Sequence, residues 1–124
     1  MTRRLSLLTP SGTLTLGNLL GALRPMARAQ DEQDGRCFYG VADLHAMTTE
    51  HDPAVLAART RETQALLLAA GLDPERAVLF RQSRVPTHTA MAYLLECTAF
   101  VGELDRMIQF KVKRRSGGTA GTRV

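Results

Sequence analysis

Thr9-Pro10-Ser11-Gly12-Thr13-Leu14-Thr15-Leu16-Gly17-Asn18-Leu19-Leu20-Gly21 reads as the end of a strand, a tight turn and the start of a helix. Upstream, Leu5, Leu7 and Leu8 form an apolar run of strand length; downstream, Leu16, Leu19, Leu20 and Leu23 fall at helical spacing. The turn residues Pro10, Ser11 and Gly12 separate the two patterns. A helix that begins directly after a strand offers unpartnered N–H groups and the positive end of its dipole to phosphate oxygens. Gly12 is expected to permit a turn that a Cβ would hinder, and Gly17 to leave room for a flat ligand against the backbone. Thr15 and Asn18, one turn apart, can add side-chain hydrogen bonds to a phosphate. Ordinary loop chemistry produces similar turns, and the stretch is neither a Walker A loop nor a dinucleotide fingerprint.

Outward from this stretch the pattern repeats. Helical spacing runs from about Thr15 to Gln30, with Pro25 inside it, where an interior proline costs up to about 3 kcal/mol and is expected to kink the helix. A polar loop, Asp31 to Arg36, leads to a second strand, Cys37 to Ala42, followed by Asp43-Leu44-His45. Polar residues at the carboxyl end of a strand in an open α/β sheet point into the ligand crevice, which makes Asp43 and His45 candidates for a pocket. The other reading of His45 is a partly buried structural histidine. Asp52-Pro53 starts a helix that Gly71 ends, and its Leu66-Leu67-Leu68 run reads as packing. Ala77 to Phe80 is a third strand with Gln82-Ser83 at its carboxyl end. Pro86 then opens a helix to Thr98, and a shorter one is expected from Glu103 to Phe110, with Tyr93, Phe100 and Met107 as core residues. Strand-helix alternation of this kind predicts a parallel sheet with right-handed crossovers, and it brings Thr9–Asn18, Asp43–His45 and Gln82-Ser83 to one edge.

Composition narrows the partners. The 124 residues suit one domain and carry a net charge of +4. That charge sits at the end: residues 1 to 110 hold eleven basic and twelve acidic side chains, whereas residues 111 to 124 hold Lys111, Lys113, Arg114, Arg115 and Arg123 and no acid. A basic surface with interleaved aromatics, as nucleic-acid readers present, is not indicated. Neither a membrane-length apolar run nor a secretory leader is present, which predicts a soluble, cytoplasmic protein. Cys37 and Cys97 stand far apart with no metal-ligand spacing, so two reduced, buried thiols and no metal site are expected. The last residues, from Ser116, lack apolar periodicity and read as disordered.

With these segments placed, the chain resembles the amino-terminal part of the bacterial tryptophanyl-tRNA synthetases, class I enzymes. The resemblance is carried by Pro10-Ser11-Gly12, Thr15-Leu16-Gly17-Asn18 and Gly21-Ala22-Leu23-Arg24, which match that family's form of the "HIGH" signature. In the same order follow Asp43-x-His45-Ala46-x-Thr48, Asp52-Pro53, Gly71-Leu72-Asp73-Pro74, Phe80-x-Gln82-Ser83-x-Val85-Pro86-x-His88, and a run from Gly102-Glu103-Leu104 to Lys113.

The resemblance implies an α/β fold, a partial Rossmann-like (HUP-type) parallel sheet with flanking helices. It further implies residues 1–110 as the first half of a catalytic domain and 111–124 as a basic tail. The implied activity is ATP-dependent activation of tryptophan and its transfer to tRNA(Trp), with Mg2+ accompanying ATP and with a homodimer as the intact assembly. By the same mapping, Thr9, Pro10, Ser11, Gly12, Gly17 and Asn18 bind ATP; Thr15 and Asn18 contact its phosphates; Leu5, Asp43 and His45 lie near the amino-acid pocket. Lys111 and Lys113 fall in a lysine loop that serves the triphosphate, or belong to a solvated basic tail.

Departures accompany these matches. Leu5-Ser6-Leu7-Leu8-Thr9 stands where the family commonly has Phe-Ser-Gly-x-Gln, and Leu19, Pro25, Leu44 and Arg81 also differ. The family's "KMSKS" loop and anticodon-binding domain are not matched by these residues, and from its Gly/Thr/Arg character Arg114 to Val124 is expected to come from a frameshifted or artificially ended reading frame. The alternative reading is a non-catalytic synthetase remnant or paralogue that binds ATP or tryptophan; a compact adenylyltransferase is a third.

Overall fold

A computed structural model of the chain describes residues 2–32, 35–104 and 106–107. These fall into two compact units that divide between Val85 and Pro86.

The first unit alternates strand and helix as its apolar periodicity requires. Strand β1 (Thr2–Leu8) leads through the Thr9–Thr15 turn into helix α1 (Leu16–Asn18), a π-helical turn (Leu19–Leu23) and helix α2 (Arg24–Asp31). Strand β2 (Gly35–Val41) is followed by the short helix α3 (Asp43–Ala46) and the long helix α4 (Pro53–Ala69). Strand β3 (Ala77–Arg81) ends in a 3-10 turn (Gln82–Arg84). The three strands form one parallel sheet in the order β1-β2-β3. Leu8, Val41 and Arg81 stand level across it, so all three strands end at the same edge.

Local chemistry accounts for most element ends. Asp52 caps α4, its carboxylate accepting from the N–H groups of Ala54 (2.7 Å) and Val55 (3.2 Å), and Pro53 occupies the first helical position. Gly71, at φ +96°, turns the chain out of α4 in the left-handed conformation that only glycine adopts freely. Pro25 does its damage one turn earlier than expected. The chain widens into the π turn directly before it, where the Arg24 N–H donates to the Leu19 carbonyl five residues back. The extra residue in that turn relieves the clash between a proline ring and the preceding carbonyls while the helix runs on to Asp31.

One face of the sheet carries the core. Cys37, Tyr39, Val41 and Ala77 pack there against Leu23, Met26, Leu67 and Leu72. On the opposite face Gly40 is required by packing, because a Cβ would meet the Phe80 carbonyl oxygen at 2.6 Å and the Leu7 side chain at 3.0 Å. Next to this row Leu5, Phe38 and Val78 stand in register, and Leu5 is 66% exposed. Gln30 ties the end of α2 to the loop before β3: its Nε2 donates to the Gly71 carbonyl (2.6 Å) and its Oε1 accepts from the Asp73 N–H (3.0 Å).

The second unit contains α5 (Pro86–Thr98) and α6 (Val101–Leu104). Sequence periodicity assigned Tyr93, Phe100 and Met107 to the core, but they are 67%, 74% and 54% exposed. Helical spacing of apolar residues defines a face without defining what covers it. Cys97 is likewise exposed, while Cys37 is buried as expected. The predicted helix to Phe110 begins earlier, at Val101; residues 108–110 and the predicted disordered tail lie outside the described residues.

Burial pushes the Tyr39 phenol from its ordinary value near 10 up to about 12, with the neighbouring Cys37 thiol as the next contributor. In that interval the unfolded chain has released a proton that the folded chain keeps. This contribution to stability is therefore complete below about pH 10 and is lost as pH rises through about 12. Denaturant midpoints are expected to fall over that interval, and Tyr39→Phe to flatten the fall; an unchanged alkaline slope in a folded Tyr39→Phe protein would contradict this.

Candidate active site at the carboxyl ends of the strands

Three segments leave the sheet at the level of Leu8, Val41 and Arg81, and each carries candidate residues. The first is the Thr9–Asn18 turn. Pro10 is fully buried and anchors it, and the Ser11 N–H donates to the Thr9 carbonyl (2.9 Å). Thr9 is half-buried, whereas Ser11 is exposed. From the middle of α4, Arg59 Nη1 donates to the Ser11 carbonyl (3.0 Å).

Thr15 and Asn18 pair with each other. The Thr15 N–H (2.8 Å) and hydroxyl (2.9 Å) both donate to Asn18 Oδ1, and the Asn18 N–H donates back to Thr15 Oγ1 (3.4 Å). This is a capping box with asparagine in the place of Glu or Gln. It consumes the Asn18 carbonyl and leaves the Nδ2 donors without a partner among the described residues. Nor does any described residue accept from the N–H groups of Leu16 and Gly17. These donors open the helix on its exposed side.

The glycines differ from expectation in an informative way. Gly12 does not adopt positive φ, and a Cβ built there meets nothing within 4 Å. The turn therefore does not require glycine for its own geometry, and the expectation that a Cβ would hinder it is corrected. At Gly17 a Cβ would make only an ordinary 3.5 Å contact with Thr15 Oγ1. Both positions leave space outside the protein rather than relieving crowding within it.

The second and third segments are bound together. Asp43 is buried, and its carboxylate accepts from the Leu44 N–H (3.2 Å), the Ser83 N–H (2.9 Å) and the Ser83 hydroxyl. Beside it, Gln82 Oε1 accepts from the His45 N–H (3.2 Å). Asp43 therefore joins the ends of β2 and β3, and its oxygens are committed to that bond set. The His45 side chain is exposed, which removes the reading of a partly buried structural histidine. Leu5 lies at the middle of β1, four residues before the turn; Lys111 and Lys113 lie outside the described residues. Sequence reasoning missed Arg59, because an arginine on the exposed side of a helix carries no local signal, and it named Ser83 only as a strand end.

Residues 3–122 match the family model of the class I tRNA synthetases for W and Y. The chain belongs to that family. It is 50% identical over 109 residues to the tryptophan–tRNA ligase of Clostridium tetani, an alignment that covers 88% of this chain and 32% of that protein. With the tryptophan–tRNA ligase of Listeria monocytogenes serotype 4b it shares 51% identity over 112 residues, 90% of this chain and 33% of the relative. Among solved structures, the tryptophanyl-tRNA synthetase of Campylobacter jejuni complexed with ADP and tryptophan superposes with a TM-score of 0.84 at 32% identity, covering 97% of this chain and 37% of that one. The sheet of three parallel strands is thus the Rossmann-like fold of these synthetases. The chain spans about a third of the length of the curated relatives it matches.

Asp43→Ala would leave the Ser83 N–H and hydroxyl without their acceptor. Loss of a buried partner costs about 1–3 kcal/mol. Chemical denaturation is expected to show a loss in that range, with Ser83→Ala losing less because it removes one of the bonds; no loss in Asp43→Ala would contradict the joining role.

Proposed function

We propose that this chain supplies the nucleotide and amino-acid half-site of an ATP-dependent tryptophan–tRNA ligase. The observation that carries the reading is the combination of open donors and open space at one helix start: the N–H groups of Leu16 and Gly17, the Asn18 Nδ2 group, and glycines at 12 and 17 that the protein's own packing does not demand. In this reading the donors receive the phosphates of ATP, and the Thr15–Asn18 capping box fixes their direction before the ligand arrives. Gly12 and Gly17 admit the adenosine, and the segment from Thr9 to Gly12 lines its approach. His45, exposed at the end of β2, faces the amino-acid side, with Asp43 holding its segment in place and Leu5 further along β1.

Activation joins the tryptophan carboxylate to the α-phosphorus of ATP and releases pyrophosphate; the aminoacyl group then passes to the terminal ribose of tRNA(Trp). Negative charge accumulates on the phosphates as the leaving group separates. Fixed N–H donors aimed at that charge lower the barrier without reorganising during the reaction. Orientation of the two reactants supplies much of the remainder. Among the described residues no cluster of three or more acidic, histidine or cysteine side chains could hold a metal ion, so Mg2+ belongs to this reading as part of the nucleotide. Lys111 and Lys113, to which the family resemblance gives a role toward the triphosphate, lie outside the described residues. The intact assembly is a cytoplasmic homodimer; no helix among the described residues is long and apolar enough to cross a membrane.

Gly17→Ala separates ligand from fold. Alanine at a helical position stabilises by up to about 1 kcal/mol relative to glycine. The variant is expected to melt no lower than the parent while its ATP affinity, measured by equilibrium dialysis, falls at least tenfold. Equal ATP affinity in the two proteins would remove the helix start from the site.

A further inference from the structure

Arg59 takes no part in the signature motifs, yet it is bonded to the turn that they build. It sits near the middle of α4, between Asp52, which caps that helix, and the buried Thr60 and Thr63. The Thr60 hydroxyl donates to the Leu56 carbonyl (2.8 Å), and Thr63 is 2% exposed, so the helical turn that carries Arg59 is fixed against the body of the unit. From there the guanidinium crosses to the Ser11 carbonyl, 48 residues earlier in the chain.

A guanidinium has five N–H donors, and the Ser11 carbonyl accepts from one of them. Among the described residues no carboxylate lies within ion-pair distance of Arg59. Two arginines of the same unit are neutralised in this way: Arg4 pairs with Glu32 (2.8 Å), and Arg76 pairs with Asp31 and Asp73. Residues 1–85 contain no lysine, so the permanently charged cationic side chains that this unit itself supplies are all arginines. Among the described residues, Arg59 is the one cation hydrogen-bonded to the Thr9–Asn18 segment.

We propose that Arg59 is a positioning residue for the nucleotide's phosphates. One N–H holds the Ser11 carbonyl and with it the turn that Pro10 anchors from below. The rest of the charged fork remains at the Ser11 turn that leads into the helix, where it attracts and orients an anionic ligand. Guanidinium suits this double task because its donors diverge in one rigid plane; an ammonium group on a flexible stem holds one partner at the expense of the other. The inference rests on the nucleotide reading of the site and adds to it a residue from outside the motif, together with a preference for the triphosphate over the nucleoside.

The test uses the full 124-residue chain and measures affinities for ATP and for adenosine, with melting temperatures for each protein. Removal of a charge-assisted hydrogen bond is expected to weaken ATP binding by about tenfold or more in Arg59→Met. Adenosine affinity is expected to fall by clearly less than ATP affinity, with the melting temperature confirming a folded protein, and Arg59→Lys is expected to recover part of the ATP affinity because it restores the charge alone. If Arg59→Met loses ATP and adenosine equally, Arg59 merely shapes the turn, and the inference is overturned. If Arg59→Met binds ATP as the parent does while Gly17→Ala does not, the inference fails and the nucleotide reading stands. If the parent chain binds no ATP, both fall together.

Discussion

A single buried carboxylate sets the relation between two of the three strand ends. Asp43 accepts from Ser83 through both the backbone N–H and the hydroxyl, and from Leu44 at the start of α3. Parallel strands are joined along their length by ladder bonds, but beyond Val41 and Arg81 the ladder ends and the exits are free to diverge. A carboxylate with three donors replaces the missing ladder there. It needs no cationic partner, because hydrogen bonds to its charged form offset the cost of burial. Glutamate would be too long by one methylene to keep this set.

The first exit is held by different means. Pro10 is fully buried, the Ala42 N–H donates to the Leu8 carbonyl (2.8 Å), and Arg59 reaches across to Ser11. The consequence is a rigid platform with its polar groups unequally spent. Thr15 and Asp43 use their oxygens within the protein, whereas Asn18 Nδ2 and the N–H groups of Leu16 and Gly17 face outward. These outward N–H groups have the polarity that a phosphate or carboxylate requires. The apolar surface is also unequal. One sheet face is sealed by α2, α4 and the π turn, while the row Leu5, Phe38 and Val78 remains more open.

Much of this was legible in the amino-acid order because it depends on short-range chemistry. Asp52-Pro53 and Gly71 announced the ends of α4, and the apolar runs around Leu7, Tyr39 and Leu79 announced three strands. Their alternation with helices placed Thr9–Asn18, Asp43–His45 and Gln82-Ser83 on one edge, and family motifs in the same segments agreed with the match found across residues 3–122. What escaped depends on the third dimension. The Asp43–Ser83 bond spans 40 residues and the Arg59–Ser11 bond 48, with no periodicity to announce either. Gly12 looked like a residue demanded by its turn, although only the space around it distinguishes conformational need from ligand access. Tyr93, Phe100 and Met107 looked like core because helical spacing records an apolar face and is silent about its cover.

The most direct test of the nucleotide and amino-acid half-site is a two-dimensional amide NMR titration of the 15N-labelled chain with ATP and then tryptophan. Shifts confined to Gly12, Thr15 to Asn18 and Asp43 to His45, with Gly35 and Gly71 at the far side of the sheet unmoved, are the predicted result. Saturating shifts centred elsewhere, for example on the apolar groove between Leu68 and Phe80, or no shifts at all from the folded chain, would contradict it.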